Sequence, residues 1–302
     1  MNLKELQSPI SLYWDIGPAS RQGTAFHRKV CDELIENKVL SVNLTEPGVP
    51  LSSECLYVLE RFMREPIAVS LTVAPGAFNA ESLQLLRDLK LRALLVKVAS
   101  REELHHIADL QREAGALRLG VSMEIDRHNV VHLPEVLSFC ITHGLVNLVL
   151  PMQRLTKEMD CFCLSAAERL ELAAALKGME RLGSLKIVIH DPFLWRAFYP
   201  SVIFPEGGCQ AANTMLYLSP EADVYPCPSL PIRLGSLLKE SFKELVLSQK
   251  KIELRKVLTA PPKACGDCDE LHLCLGGCRG RAYRMMGSLA EPDPACQEWR
   301  RN

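Results

Sequence analysis

The chain has 302 residues, 48% of them hydrophobic and 24% charged, with 35 Lys and Arg against 36 Asp and Glu. That is a globular composition with apolar residues enough for one large core or two smaller ones. A net charge of −1 gives no reason to expect nucleic acid or an anionic membrane surface as partner. No apolar stretch reaches the length of a membrane span. The first residues, MNLKELQSPISLYWDIG, show no basic segment followed by a long apolar one. A cytoplasmic location is therefore expected, where thiols stay reduced.

Residues 10 to 190 alternate short β-branched runs with longer amphipathic ones. Strands are predicted at 10–16 (ISLYWDI), 39–44 (VLSVNL), 67–73 (IAVSLTV), 92–98 (RALLVKV), 118–124 (RLGVSME), 146–151 (VNLVLP) and 185–190 (LKIVIH). Several are nearly continuous apolar runs, as expected when both faces of a parallel sheet are buried. Helices are predicted between them, near 24–37, 52–65, 79–90, 101–115, 132–143 and 165–182. Asn79 offers N-cap chemistry at one start, and Ser100 with Glu103 a capping box at another. Six or seven β-α units of roughly 25–30 residues argue for an α/β barrel or part of one. The stretch YPSVIFPEGG (199–208) separates residues 1–205 from 206–302. The second part holds a hairpin-like segment (LYLSPEADVYPC), a helical stretch near 236–258 and loops rich in cysteine.

Most isolated side chains have plain readings. Cys31, Cys55 and Cys140 fall within helical patterns and are expected to pack there. Trp14 is expected in the core. His190 and Asp191 end the last predicted strand, where barrels place catalytic groups. No partner nucleophile accompanies them, and a capping role for Asp191 is the better reading. His105, His106, His128 and His132 read as solvated. Arg279, Arg281, Arg284, Arg300 and Arg301 read as a solvated basic face.

Seven of the twelve cysteines fall in the last third: Cys209, Cys227, Cys265, Cys268, Cys274, Cys278 and Cys296. The middle four stand in PPKACGDCDELHLCLGGC with spacing C-x-x-C-x5-C-x3-C. A C-x-x-C pair lets two thiolates reach one ion or cluster from a single turn. Gly266 is expected to permit that turn, and Gly276 and Gly277 a close backbone approach. Thiolates are soft ligands that select zinc or iron–sulfur clusters over hard cations. Seven exceed one tetrahedral site, which leaves room for two. Structural zinc remains open, although zinc ribbons favour two separated C-x-x-C pairs. Cys161 and Cys163 in MDCFCLS read as loop thiols, with a further ligand as the alternative.

The array resembles the SPASM domain, the C-terminal extension of many radical SAM peptide-modifying enzymes. CQAANTMLYLSPEADVYPC supplies the family's first cysteine pair, the central four match in full, and Cys296 supplies the last. Ala222 stands where the family has a turn glycine. The resemblance implies two auxiliary clusters, usually 4Fe-4S. Cys265, Cys268, Cys274 and Cys296 would hold one. Cys209, Cys227 and Cys278 would hold the other, one protein ligand short. It also implies that residues 1–205 form a radical-SAM-like partial (β/α) barrel, followed by a small cysteine-rich domain.

Catalytic members carry C-x-x-x-C-x-x-C after the first strand, and there the loop GPASRQGT (17–24) has no cysteine. The family's GGEP after the second strand is reduced to Glu46-Pro47 in LTEPGVPL. The barrel is thus read as degenerate, with no catalytic residue assigned and no S-adenosylmethionine expected. The nearest family type is the accessory SPASM protein of GeoRSP-type systems. That type implies a non-catalytic partner of a catalytic radical SAM/SPASM enzyme and of a precursor peptide, in ribosomal-peptide maturation. An enzyme acting through the cluster with an open iron, or a zinc-stabilised scaffold, are the alternatives.

Overall fold

The alternation of strand and helix builds a curved sheet. In the computed structural model, residues 6, 9–17, 23–78, 80–114, 117, 119–154, 161–177, 185–205 and 207–296 are described. β1 (Ser11–Asp15), β2 (Ser41–Glu46), β3 (Ala68–Val73), β4 (Ala93–Lys97), β5 (Leu119–Ser122), β6 (Asn147–Leu150) and β7 (Lys186–Ile189) lie side by side in that order, all parallel. The connecting helices are α1 (Gly23–Glu36), α2 (Ser53–Phe62), α3 (Ala80–Asp88), α4 (Glu103–Ala114), α5 (Leu133–Thr142) and α6 (Ala166–Leu176). Every predicted strand and helix of this region is present.

The sheet does not stop at residue 206. β8 (Met215–Leu218) pairs parallel with β1, and β9 (Asp223–Tyr225) and β10 (Gly235–Ser236) add antiparallel strands beyond it. The order β10-β9-β8-β1 through β7 leaves two free ends, so the barrel is partial and open. The predicted single helical stretch near 236–258 divides into α8 (Phe242–Val246) and α9 (Gln249–Thr259), because Ser248 caps a new helix start. α10 (Leu271–Cys274) and α11 (Arg279–Met286) follow.

The expectation of a sheet apolar on both faces holds for β4 and β5 only. In β1, β3 and β6 burial alternates. Leu12, Trp14, Val42, Leu44, Val69 and Leu71 are at most 1% exposed and join the helices in the core. Burying each such side chain contributes about 1.5–3 kcal/mol. Tyr13, Asn43, Ser70 and Thr72 point the other way, into a polar lumen. Trp14 is core, stacked on His27 at 5.7 Å. Cys31, Cys55 and Cys140 are fully buried on α1, α2 and α5, and burial pushes the Cys31 and Cys140 thiols up to about 12.

Glu103 accepts from the Ser100 N–H at 3.3 Å, one half of the predicted box. The Asn79 cap lies outside the described residues. α7 (Pro192–Phe198) was not anticipated, although Asp191-Pro192 carries its signal: a capping carboxylate, then a proline whose missing N–H is no loss in a first turn. No helix among the described residues is long and apolar enough to cross a membrane.

The β8–β9 turn shows what replaces the missing glycine. Ala222 sits at φ +66°, in the left-handed region that a Cβ disfavours. It is held there by its N–H donating to Ser219 O (3.0 Å) and its carbonyl accepting from Leu237 N (2.9 Å). Left-handed alanine costs about 1 kcal/mol or more. Ala222→Gly is accordingly expected to raise stability by about 1 kcal/mol. The check is a higher urea midpoint at unchanged slope; a lower midpoint would mean that burial of the methyl outweighs the strain.

Candidate metal centre

Cys209 lies in the loop before β8, after Gly207 and Gly208, both at positive φ. Arg255 fixes that loop by donating to Cys209 O at 2.5 Å and Ala211 O at 3.3 Å. Cys227 follows β9. Cys278 caps α11, its sulfur accepting from Arg281 N at 3.4 Å. These three and Cys274 line one cavity of about 120 Å³, with Tyr13 of β1, His190 after β7 and Arg154 after β6. The cavity therefore joins the barrel mouth to the cysteine loops. Burial raises the Cys278 thiol well above its ordinary value, so metal loading there must displace a firmly held proton.

The second set is built by tight turns. A 3-10 turn, Lys263–Cys265, presents Cys265, and Cys268 N donates back to Cys265 O at 3.2 Å. Gly266 itself has φ −58° and ψ −42°, ordinary helical values; contrary to expectation, the turn does not require a glycine there. Cys274 ends α10. Leu275, Gly276 and Gly277 then take three successive positive φ values and reverse the chain into Cys278. A Cβ on Gly277 would lie 2.5 Å from Asp293 Cβ, which confirms the expected close approach. Cys274 and Cys296 pack around Phe193, and Cys163 packs with them. Cys163 was considered as a fourth ligand for the Cys209, Cys227 and Cys278 set, and it lies instead on the Cys274 side.

Among the described residues, no three His, Cys, Asp or Glu side chains converge on a point where one ion could sit. Zinc and iron–sulfur clusters share thiolate donors. One observation points to a negatively charged group. Arg279 is 3% exposed, and its Nε and Nη1 are buried without a hydrogen-bond partner. Burial lowers its pKa, and the charges that would support it are those of Cys209, Cys265, Asp293 and Cys278. Asp293 is already bonded to Arg281, and a buried cation with no counter-ion of its own is unfavourable. A thiolate-ligated cluster carries the net negative charge that would resolve it, so the donor set fits such a group.

Arg281 holds the two halves together. It is 3% exposed, and all five of its N–H donors are used. Nε and Nη2 donate to the Asp293 carboxylate at 2.7 and 2.9 Å. Nη1 and Nη2 donate to Asp191 at 2.6 and 3.2 Å, and Nη1 also donates to Phe162 O at 3.2 Å. Asp293 in turn accepts from Cys278 N at 2.6 Å and Ala295 N at 3.0 Å, next to Cys296. Burial alone would raise the Asp191 carboxyl; the Arg281 charge and the α7 N–H groups override it and hold the carboxyl below the usual range. The basic run is thus not a solvated face. Arg279 and Arg281 are buried, Arg284 is half-buried, and Arg300 and Arg301 lie outside the described residues.

Asp191 caps α7 through Phe193 N (2.8 Å) as expected, and the Arg281 pair was unforeseen. His105, His106 and His128 are exposed and His132 half-buried. Glu46 is buried, with its oxygens taken by Gly48 N (2.7 Å) and Ser52 Oγ (2.5 Å) of its own loop.

Residues 209–269 match the SPASM model, described as an iron–sulfur cluster-binding domain. An AdoMet-dependent heme synthase from Methanosarcina barkeri is 30% identical over 92 residues, covering 30% of this chain and 25% of that protein. A PqqA peptide cyclase from Granulibacter bethesdensis is 25% identical over 199 residues, covering 63% of this chain and 52% of that one. The matches thus span between a quarter and about half of these relatives. Streptococcus suis SuiB bound to precursor peptide SuiA superposes with a TM-score of 0.73 at 15% identity, covering 97% of this chain and 77% of that one. Native anSMEcpe with bound AdoMet gives 0.68 at 16% identity, covering 95% and 94%. The chain carries an iron–sulfur-binding SPASM domain on a radical-SAM-type α/β fold and is homologous to radical SAM/SPASM enzymes.

Replacing Arg281 by Met would strand the buried Asp293 carboxylate and the partly buried Asp191 one, and a loss of about 3–5 kcal/mol is expected. Retention of full stability would show that the network is incidental. The depressed Asp191 pKa also sets a sign. Its contribution is complete above the unfolded value of about 3.9 and is lost as pH falls through the folded one. Unfolding midpoints should therefore fall steeply below about pH 4, and Asp191→Asn should flatten that slope.

Proposed function

We propose that this chain is an iron–sulfur SPASM protein working beside a separate catalytic radical SAM/SPASM enzyme in the maturation of a ribosomal peptide. Its role is to present peptide, hold the enzyme, or relay electrons to it. One observation carries the reading: all seven array cysteines are present, whereas the loop after β1, GPASRQGT, has none. Cys31 nearby is buried in the core, and the Glu46 carboxylate is occupied by its own loop. Neither is free to serve a cofactor at the mouth.

In this reading Cys265, Cys268, Cys274 and Cys296 hold one 4Fe-4S cluster, and Cys209, Cys227 and Cys278 hold another that is one protein ligand short. The clusters, when bound, supply one-electron chemistry at potentials set by their surroundings. Arg279 balances their charge from between the two sets. Asp293 orients the Cys278 and Cys296 backbone, and Arg281 fixes Asp293.

The thiol-lined cavity also opens onto Tyr13 and His190. That favours a second reading, in which the chain is an enzyme binding substrate at an open iron. The two are separated by incubating the reduced, anaerobically purified chain with S-adenosylmethionine and by tagged purification from its source organism. The accessory reading predicts no deoxyadenosine and recovery of a radical SAM enzyme. Deoxyadenosine formation would overturn it.

A further inference from the structure

The lumen of the partial barrel is a second cavity, of about 740 Å³, and it is built for charge. Strand alternation fills its wall with hydroxyls and amides, among them Asn43, Ser70, Ser122 and Asn147. At the lower end stand Arg92 and Lys186, just before and at the starts of β4 and β7. At the upper end stand Lys97 and Arg154. Arg154 is already matched by Asp15. Glu124 is the one lumen-lining carboxylate among the described residues, and it faces Lys97. Arg92 and Lys186 have no ion-pair partner among the described residues.

Arg92, just before β4, and Lys97, at its end, are five residues apart, a backbone separation of about 16 Å. No small anion spans that distance, whereas an extended segment of about five residues does. The hydroxyls and amides of the wall suit the carbonyl and N–H groups of such a segment, and Leu95, Val149 and Val188 between them suit its apolar parts. Tyr13, Pro151, Arg154 and His190 line both cavities, so the lumen adjoins the cavity that Cys227 and Cys278 line.

We propose that the lumen binds an extended acidic peptide segment, its carboxylates meeting Arg92 and Lys186 at one end and Lys97 at the other. This rests on the reading of the chain as a peptide-maturation partner and names the peptide's chemical class. The test titrates fluorescein-labelled hexaglutamate and hexaglutamine into the full-length, cluster-loaded chain, with inorganic phosphate as competitor. Hexaglutamate should bind in preference to hexaglutamine, and the variant Arg92→Gln/Lys97→Gln/Lys186→Gln should weaken it roughly tenfold. Glu124→Gln, which removes the opposing carboxylate, should tighten binding by about two- to threefold. Equal binding of hexaglutamine, an unchanged affinity in the triple variant, or displacement by equimolar phosphate would overturn the proposal. Recovery of the partner enzyme by the same variants separates the two claims. If that enzyme still co-purifies while hexaglutamate does not bind, the lumen assignment alone falls.

Discussion

The structure depends on one buried guanidinium. Arg281 pairs with Asp191 at the end of the partial barrel and with Asp293 in the cysteine loops, and each of its five N–H groups is committed. In a site this dry the pairing is strong only while every member is present. Asp293 is where that rigidity reaches the thiols. It receives the Cys278 N–H, lies against Gly277, and begins the turn that ends in Cys296. One Asp thus positions a cysteine from each proposed cluster.

The same stretch explains why the two sets are distinct yet close. Cys274 and Cys278 are separated by Leu275, Gly276 and Gly277, whose left-handed backbone turns the chain sharply. Cys274 packs against Phe193 and also lines, with Cys278, the cavity shared with the barrel mouth. Arg279, next in sequence, is buried within electrostatic reach of Cys209, Cys265 and Cys278. A fixed positive charge between two thiolate sets favours the more reduced state of whatever they bind.

The strands and helices of residues 10 to 190 were legible because their apolar periodicity is strong and their breaks are short. The cysteine array was legible from spacing alone. The polar lumen was not, although its signal is present: Ser11, Tyr13, Asn43, Thr45, Ser70 and Thr72 alternate with the apolar residues of β1, β2 and β3, and those apolar residues dominate the pattern. The Arg281 network was invisible for a different reason. Its members, at 162, 191, 281 and 293, are remote in sequence, and a row of arginines ordinarily signifies a solvated surface. Gly266 was overread, since a glycine in a C-x-x-C turn proves compatible with plain helical backbone.

The central claim is that seven thiols form two separate cluster sites held in one buried frame. Anaerobic iron, sulfide and zinc analysis with a visible spectrum tests it most directly, on the unaltered chain and on Cys268→Ser and Cys278→Ser. The account predicts about eight irons per chain, and about half that number in each variant, with different spectra remaining. Zinc without visible absorbance would contradict it, as would loss of all iron from either single substitution in a chain that stays folded.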